Sequence, residues 1–193
     1  MIEREAWGAR APVLAMRAQT PTRITIHHTG TPQRPDLSTA QKIKNLQLFS
    51  QREDKLADGR TKPAWGDVPY HYYLGLDGKI AVGRDEAYAG DTNTEYDPAG
   101  HVLVVVEGNF EVEKVADAQW RALVEIVWWL AQRHQVPVAD IQSHGDYAKT
   151  DCPGADLYRR LDGLRWEILL RRGSRPREET APARTPGPSG RAA

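Results

Sequence analysis

The sequence lacks the features that mark disulfide-rich, nucleic-acid-binding and membrane-spanning proteins. Its 193 residues include one cysteine, Cys152, so no internal disulfide forms and the fold does not depend on an oxidising compartment. The 26 basic residues balance the 26 acidic ones, which leaves no overall field to draw the chain onto nucleic acid or an anionic membrane. No apolar run is long enough to span a bilayer. We therefore expect no nucleic-acid partner and no membrane insertion.

The N-terminal residues also lack the pattern of a secretion signal. Residues 1–12, MIEREAWGARAP, carry charges and have no apolar core of the kind that signal peptides need. We expect a protein that is made in the cytoplasm and that reaches any external target by a route other than a cleavable signal.

The composition that is present is that of one globular domain with a tail. Hydrophobic residues make up 40% of the chain and charged residues 27%, as in ordinary globular proteins. From Gly173 onward the sequence is rich in Pro, Arg, Ser and Ala and has almost nothing to bury. We predict one domain over residues 1–172 and a disordered tail over residues 173–193.

Short apolar runs predict the strands of a central sheet. Residues 23–28, RITIHH, are β-branched and typical of a buried strand. Residues 101–110 begin with a continuous apolar run, which indicates a central strand covered on both faces. Residues 70–82 alternate in polarity around Asp77-Gly78, which predicts a hairpin with a type I′ turn. Residues 53–69 and 86–100 are polar and are expected to form loops.

Three segments have helical periodicity or helix-start signals. Ser38 is followed three residues later by Gln41, a capping-box pattern. Asp117 is a candidate cap for the next helix, which carries apolar residues at three- and four-residue spacing, and residues 155–171 predict a last helix. The order of elements predicts an α/β fold in which a mixed central β-sheet is flanked by α-helices.

Three residues of metal-ligand type stand beside predicted strands. His27 lies at the end of the first strand, and His144 and Cys152 bracket a loop after another extended segment. Imidazole and thiolate both suit zinc, and three protein ligands leave a fourth position open, as in catalytic sites. Only one of His27 and His28 can face a given site directly, because adjacent strand residues point to opposite faces.

Other interpretations of these residues remain open from spacing alone. A histidine at a strand end often packs against its neighbours, and a lone cysteine often fills a small apolar space. Cys152 is also a candidate nucleophile with His144 as its base. No Gly-rich turn that could stabilise an oxyanion precedes the cysteine, and this alternative leaves His27 unexplained.

Five segments resemble the peptidoglycan amidases, the N-acetylmuramoyl-L-alanine amidase family that includes phage amidase lysozymes and animal peptidoglycan recognition proteins. RITIHHTGTP, residues 23–32, resembles the first zinc motif of that family. Four further segments agree in order: REAWGARAP at 4–12, WGDVPYHYYLGLDGKIAVGRD at 65–85, VVVEGNF at 104–110 and SHGDYAKTDCPGADLY at 143–158. The resemblance covers residues 4–170 and implies the amidase-like mixed sheet with flanking helices.

The resemblance implies a zinc cofactor and a set of ligands. The family's ligand positions match His27, His144 and Cys152. Its catalytic tyrosine matches Tyr70. Non-catalytic recognition proteins usually lack the cysteine, which this chain keeps.

A second catalytic position lies two residues before the cysteine in the family. Phage enzymes have lysine there and catalytic recognition proteins have threonine; here the register gives Thr150, with Lys149 beside it as the alternative. Three further residues are candidates for binding substrate: Trp65, His28 and Asn109, the last with turn capping as its alternative role.

The activity implied by the resemblance is zinc-dependent hydrolysis of the amide between the lactyl group of N-acetylmuramic acid and L-alanine of the stem peptide. The partner would be peptidoglycan, and we expect a monomer. A phage endolysin released by a holin, or a bacteriolytic effector exported without a signal, would suit the N-terminus. The alternatives are a non-catalytic peptidoglycan receptor and a cytoplasmic amidase that acts on soluble anhydro-muropeptides.

One loop departs from the family pattern. The family often has a histidine near Asp91, an asparagine near Asp97 and a glycine near Val102, positions that help to shape the substrate groove; this chain has none of them there. The departure leaves the metal ligands intact and puts the details of substrate binding in doubt. His101, at the end of this loop, is expected at the surface.

Overall fold

The fold is a mixed β-sheet with helices on both faces, seen in a computed structural model that describes residues 1–56 and 59–173. The strands are β1 (Arg23–His28), β2 (Asp54–Lys55), β3 (Thr61–Lys62), β4 (Tyr72–Leu74), β5 (Ile80–Val82), β6 (His101–Val106) and β7 (Ile141–Ser143). The helices are α1 (Thr39–Ser50), α2 (Asp117–Arg133), α3 (Ala155–Tyr158) and α4 (Leu161–Gly173). The predicted fold class is confirmed. The predicted tail lies outside the described residues except for Gly173, which ends α4.

Five strands form the main sheet in the order β5-β4-β6-β1-β7. β4, β6, β1 and β7 run parallel, and the edge strand β5 is antiparallel to β4. β6 lies in the centre and all six of its residues are buried. This position explains why its sequence is continuously apolar, since a strand covered on both faces has no polar side.

The two faces of the sheet carry separate apolar cores. Ile24 and Ile26 of β1 are fully buried and pack with Leu123 of α2 and Leu164 of α4. Burial of each such side chain stabilises the fold by about 1.5–3 kcal/mol. α2 and α4 therefore cover this face of the sheet.

On the opposite face, Ile43 of α1 packs with Trp7, Tyr73 and Val105. α1 is thus the helix that covers the side of β6 on which Val105 lies. The longest helix of the described part, α2, has 17 residues, and none of its helices is long and apolar enough to cross a membrane.

Of two predicted helix starts, one is confirmed and the other is wrong. The Ser38 hydroxyl accepts the Gln41 N–H at 3.3 Å and the Gln41 side chain accepts the Ser38 N–H at 3.0 Å, which confirms the capping box. The predicted Asp117 cap is wrong, because the extended boundary residue is Ala116 and Asp117 is already helical. The Gln119 side-chain oxygen accepts the Ala116 N–H at 3.1 Å. The N–H of the boundary residue is therefore satisfied by a glutamine inside the helix.

Three other local predictions are corrected. Residues 53–69 are not all loop, because β2 and β3 pair within them as a short antiparallel ladder. The hairpin of β4 and β5 is present, but of Asp77 and Gly78 only the glycine has a positive φ (75°), so its turn is not type I′. The last helix is divided into α3 and α4, although its buried residues keep helical spacing across the break.

His101 is buried rather than at the surface, with 3% of it exposed. As the first residue of β6 it faces β1, where its Nδ1 lies 2.7 Å from the Thr25 hydroxyl. This hydrogen bond satisfies the His101 ring nitrogen, which the sheet removes from water.

Candidate metal centre

Three side chains from distant parts of the chain meet at the carboxyl ends of β1 and β7. His27 lies near the end of β1, His144 follows β7 directly, and Cys152 lies in the loop before α3. One ligand atom from each residue lies within 4.8 Å of the other two. β1 and β7 are neighbouring parallel strands, so their carboxyl ends open at the same edge, where α/β sheets bind ligands.

The spacing of these atoms fits a zinc ion. The Cys152 Sγ lies 3.6 Å from His27 Nδ1. Zinc bonds of about 2.1 Å to nitrogen and 2.3 Å to sulfur, at a tetrahedral angle, separate the two ligand atoms by about 3.6 Å. The ring centroids of His27 and His144 are 4.7 Å apart, which brings the second imidazole to the same centre. The donor set of two imidazoles and one thiol is one that zinc prefers.

The electrostatics of the centre favour neutral imidazoles. Burial lowers the pKa of His27 well below its usual range, and the neighbouring His144 lowers it further. Burial also lowers the pKa of His144 to about 4. Both rings are therefore uncharged at neutral pH and keep a lone pair for a metal.

The pKa of the Cys152 thiol shifts in the opposite direction to the pKa values of the two histidines. Burial raises the pKa of Cys152 to about 12, against a smaller lowering by the His28 backbone N–H. A cation that binds here must displace the thiol proton, and its charge then stabilises the thiolate. The same shift argues against Cys152 as a free nucleophile, because the reactive form of cysteine is the thiolate.

A cleft of about 200 Å³ opens over the three residues, and the proposed catalytic tyrosine lines it. The Tyr70 ring lies 5.1 Å from the His27 ring. Burial raises the pKa of the Tyr70 hydroxyl, and nearby Cys152 raises it further, so the phenol stays protonated. Tyr70 is thereby placed to donate a hydrogen bond into the cleft.

Of the two candidates before the cysteine, the structure places Thr150 on the cleft. The Thr150 hydroxyl oxygen accepts the Cys152 N–H at 3.2 Å, which leaves the hydroxyl proton to be donated elsewhere. Lys149 is exposed and is not among the residues that line the cleft.

Two of the three substrate-binding candidates also line the cleft. Trp65 lines the cleft, and its ring lies 4.5 Å from the ammonium group of the buried Lys62, a cation–π contact. His28 also lines the cleft, but it is not one of the three residues whose ligand atoms converge, and its Nδ1 accepts the Phe110 N–H at 3.3 Å. The structure does not bring Asn109 to the cleft. Its side-chain oxygen accepts the Glu111 N–H at 3.2 Å, so it caps the turn after β6, the alternative role.

The loop that carries Cys152 is fastened to this same turn. Gly154 has φ 85°, and a Cβ on it would lie 2.5 Å from the Phe110 carbonyl carbon. The Asp156 N–H donates to the Phe110 carbonyl at 3.0 Å. The glycine after Cys-Pro is therefore required by the close approach of two backbone segments, which sets the position of the thiol.

Sequence reasoning missed two residues at the centre. The Thr94 hydroxyl lies 2.7 Å from His144 Nε2, and the Tyr96 hydroxyl lies 3.4 Å from His27 Nε2. Histidine ligands need a partner for their second nitrogen, but no local pattern showed which side chains would supply it.

Comparisons with known proteins identify a family and relatives for this chain. The model of the Amidase_2 family, described as N-acetylmuramoyl-L-alanine amidase, matches residues 17–155. Peptidoglycan-recognition protein SD of Drosophila simulans is 26% identical over 166 residues, which cover 82% of each chain. The N-acetylmuramoyl-L-alanine amidase of Sus scrofa is 28% identical over 140 residues, 72% of this chain and 22% of that protein, so the chain spans about a fifth of that relative.

Solved structures share the fold. The crystal structure of Drosophila peptidoglycan recognition protein SD has a TM-score of 0.71 at 24% identity, covering 83% of this chain and 92% of that one. The amidase LysC from Clostridium intestinale URNW has a TM-score of 0.65 at 24% identity, with coverage of 84% and 94%. Peptidoglycan recognition protein LE, solved in complex with tracheal cytotoxin, has a TM-score of 0.69 at 21% identity, with coverage of 84% and 92%. Because the family model matches most of the chain, and the motif resemblance is thereby confirmed, the chain belongs to the Amidase_2 family of N-acetylmuramoyl-L-alanine amidases.

Proposed function

We propose that the protein is a zinc-dependent amidase that cleaves the bond between the lactyl group of N-acetylmuramic acid and L-alanine of the stem peptide. The convergence of His27, His144 and Cys152 beside an open cleft carries this proposal. Three protein ligands with a fourth position facing a cleft are typical of catalytic zinc, whereas structural zinc sites are closed by four. A receptor that only holds peptidoglycan has no need of a half-buried thiol at this point.

Five residues at the cleft have a defined part in the proposed reaction. His27, His144 and Cys152 would hold the ion, which when bound supplies Lewis-acid polarisation and a nucleophile at neutral pH. Tyr70 and Thr150 would donate hydrogen bonds to the oxyanion that develops on the amide carbonyl. Removal of one such donor typically lowers the rate about 10²–10³-fold.

The surroundings of the cleft support a polymeric substrate. A cavity of about 560 Å³ shares Asp91, Thr92 and Thr94 with the cleft. A second cavity of about 350 Å³, beside α1, shares Thr29 and Tyr70 with it. A groove that continues on both sides of the metal centre suits a substrate with a glycan on one side of the scissile bond and a peptide on the other. The complex of recognition protein LE with tracheal cytotoxin, a monomeric peptidoglycan, supports the same class of ligand here.

The decisive experiment measures cleavage of isolated sacculi. Purified protein is incubated with sacculi with and without a chelator, and new amino termini at L-alanine are quantified. We expect release that the chelator abolishes and added zinc restores. Binding to sacculi without release would show that the protein is a receptor, and cleavage of small muropeptides alone would favour the cytoplasmic amidase.

A matched pair of variants tests the metal centre itself. Cys152→Ser replaces the thiol with a hydroxyl, which is a poor zinc ligand, and should lose both stoichiometric zinc and activity. Cys152→Asp supplies a carboxylate, which zinc accepts, and should retain part of the metal. Elemental analysis of both proteins beside the wild type gives the result directly. Equal zinc in the wild type and in Cys152→Ser would exclude Cys152 as a ligand.

A further inference from the structure

We propose that Thr94 and Tyr96 are positioning residues of the metal centre, each holding one histidine ligand by its second ring nitrogen. The inference rests on the proposed zinc centre and extends it to the loop of residues 86–100. In this view the loop determines how firmly the protein holds its metal, in addition to forming one wall of the groove.

The two nitrogens of each histidine ring point to different partners. In His27, Nδ1 lies 3.6 Å from the Cys152 Sγ, while Nε2 lies 3.4 Å from the Tyr96 hydroxyl. In His144, Nε2 lies 2.7 Å from the Thr94 hydroxyl, which leaves Nδ1 for the shared centre. Both rings thus turn Nε2 to a hydroxyl of the same loop.

A hydrogen-bond partner at the second ring nitrogen controls how a histidine binds a metal. An imidazole that binds metal through Nδ1 carries its proton on Nε2 and donates it to an acceptor. That hydrogen bond sets the tautomer and the orientation of the ring, and its loss typically weakens metal affinity about 10–100-fold. Threonine and tyrosine hydroxyl oxygens accept such a bond without adding negative charge to the centre.

The loop is anchored on both sides of Thr94 and Tyr96. Before them, Asp91 pairs with Arg84, whose side chain is 2% exposed. After them, Asp97 pairs with Arg17 at the surface. Within the loop, the Thr94 N–H donates to the Thr92 hydroxyl oxygen at 3.1 Å. A segment tied at these points is able to fix the rings that it touches.

The Tyr96 ring adds packing to its hydrogen bond. It stacks on Tyr147, with centroids 5.6 Å apart and planes 18° apart, and its centroid lies 5.1 Å from that of His144. It also lies 5.6 Å from the ring of the buried His101. The Tyr96 ring therefore packs the loop against the segment that carries the second histidine. This loop is also the one in which the chain departs from the family pattern.

Zinc affinity tests the proposal independently of catalysis. Chelator competition is measured for the wild type, Thr94→Val, Thr94→Ser and Tyr96→Phe, each checked for the wild-type unfolding transition. Thr94→Val should weaken zinc binding about 10–100-fold, and Thr94→Ser, which keeps the hydroxyl, should restore it. Tyr96→Phe keeps the stacked ring and should show a smaller loss, in line with its longer contact. Asn93→Ala, which changes a neighbouring side chain at the cleft, should bind zinc as the wild type does.

The outcomes separate this inference from the proposed function. Equal zinc affinity in the wild type, Thr94→Val and Tyr96→Phe would overturn the positioning role and leave the amidase proposal standing. Weaker binding in the two variants, with a wild type that binds zinc but cleaves no sacculi, would support the positioning role and overturn the enzyme. A wild type without stoichiometric zinc would overturn both.

Discussion

The backbone N–H of His28 donates a hydrogen bond to the Sγ atom of Cys152 over 3.4 Å. The same sulfur lies 3.6 Å from Nδ1 of His27, so two consecutive residues of β1 contact the thiol in different ways. One supplies an imidazole that would share a metal with the sulfur. The other supplies a donor that favours the thiolate over the thiol. The end of β1 therefore both positions Cys152 and favours its metal-binding form.

Removal of the Tyr70 hydroxyl should impair catalysis and leave metal binding intact. In Tyr70→Phe the ring still packs beside His27, but the donor to the developing oxyanion is lost, so cleavage of sacculi should slow about 10²–10³-fold. Zinc content should match that of the wild type. Tyr158→Phe, which removes a hydroxyl from an exposed tyrosine, is the control. Equal rates in the two variants would show that Tyr70 does not act on the substrate.

The choice between Thr150 and Lys149 has a direct test. Thr150→Val removes a hydroxyl that lines the cleft and should lower the rate of cleavage about 10²–10³-fold. Lys149→Ala removes an exposed side chain and should leave the rate nearly unchanged. Cleavage of sacculi by the two variants at the same protein concentration is compared. The reverse order of effects would assign the catalytic position to the lysine.

Gly154 should be intolerant of a side chain. Alanine at this position must adopt φ 85°, and its Cβ would lie 2.5 Å from the backbone of Phe110. We expect Gly154→Ala to lower the free energy of unfolding by at least about 1–3 kcal/mol, measured by urea denaturation.

Gly163 of α4 is the matched control, because a Cβ built on it meets nothing within 4 Å. Gly163→Ala should raise the free energy of unfolding by about 0.5–1 kcal/mol, since alanine is the better helix former. Equal, small effects of the two substitutions would contradict the close approach at Gly154.

Acid should destabilise the protein through His71. Burial lowers the pKa of His71 to about 4, and its Nδ1 accepts the Leu103 N–H at 2.8 Å. The unfolded chain has a histidine pKa of about 6.5. Between these values only the unfolded state binds the proton, so stability present above pH 6.5 is lost as the pH falls toward 4. The slope from one such group approaches about 1.4 kcal/mol per pH unit.

The variant His71→Asn isolates this contribution. Its side-chain oxygen is able to accept the Leu103 N–H, but it does not titrate. Urea denaturation at pH 7.5, 6 and 5 should give a shallower fall in unfolding free energy for the variant than for the wild type. Parallel curves would show that His71 is accessible to protons in the folded state.

Elements with a strong local signal could be predicted from sequence, and elements fixed by distant partners could not. The apolar run of β6 and the Ser38–Gln41 capping box each lie within a few residues, and both are present. The predictions of an Asp117 cap and of a type I′ turn at Asp77-Gly78 were wrong. The residues around each position can form more than one hydrogen-bonding arrangement, and the local sequence does not choose between them. The prediction that His101 lies at the surface was wrong, because its burial comes from the neighbouring strands of the sheet and not from its own stretch of sequence.

The candidate site divides in the same way. The residues alone left Cys152 open as a ligand, a nucleophile or a small buried group, and five collinear motifs were needed to favour the ligand. Thr94 and Tyr96 had no signal at all, because their histidine partners lie 50 and 69 positions away in the chain. Asn109 carried a motif position, yet its side chain is used by its own turn.

By itself the sequence determined which side chains are chemically able to bind a metal and which segments become strands and helices. Ligand chemistry belongs to single residues, and hydrophobic periodicity belongs to short stretches, so both can be read locally. Only the tertiary structure decided that His27, His144 and Cys152 share one centre, and that the loop of residues 86–100 contacts the two histidine rings. The shared centre depends on the parallel pairing of β1 with β7 and on the contact of Gly154 with Phe110. Both join segments that are far apart in the chain.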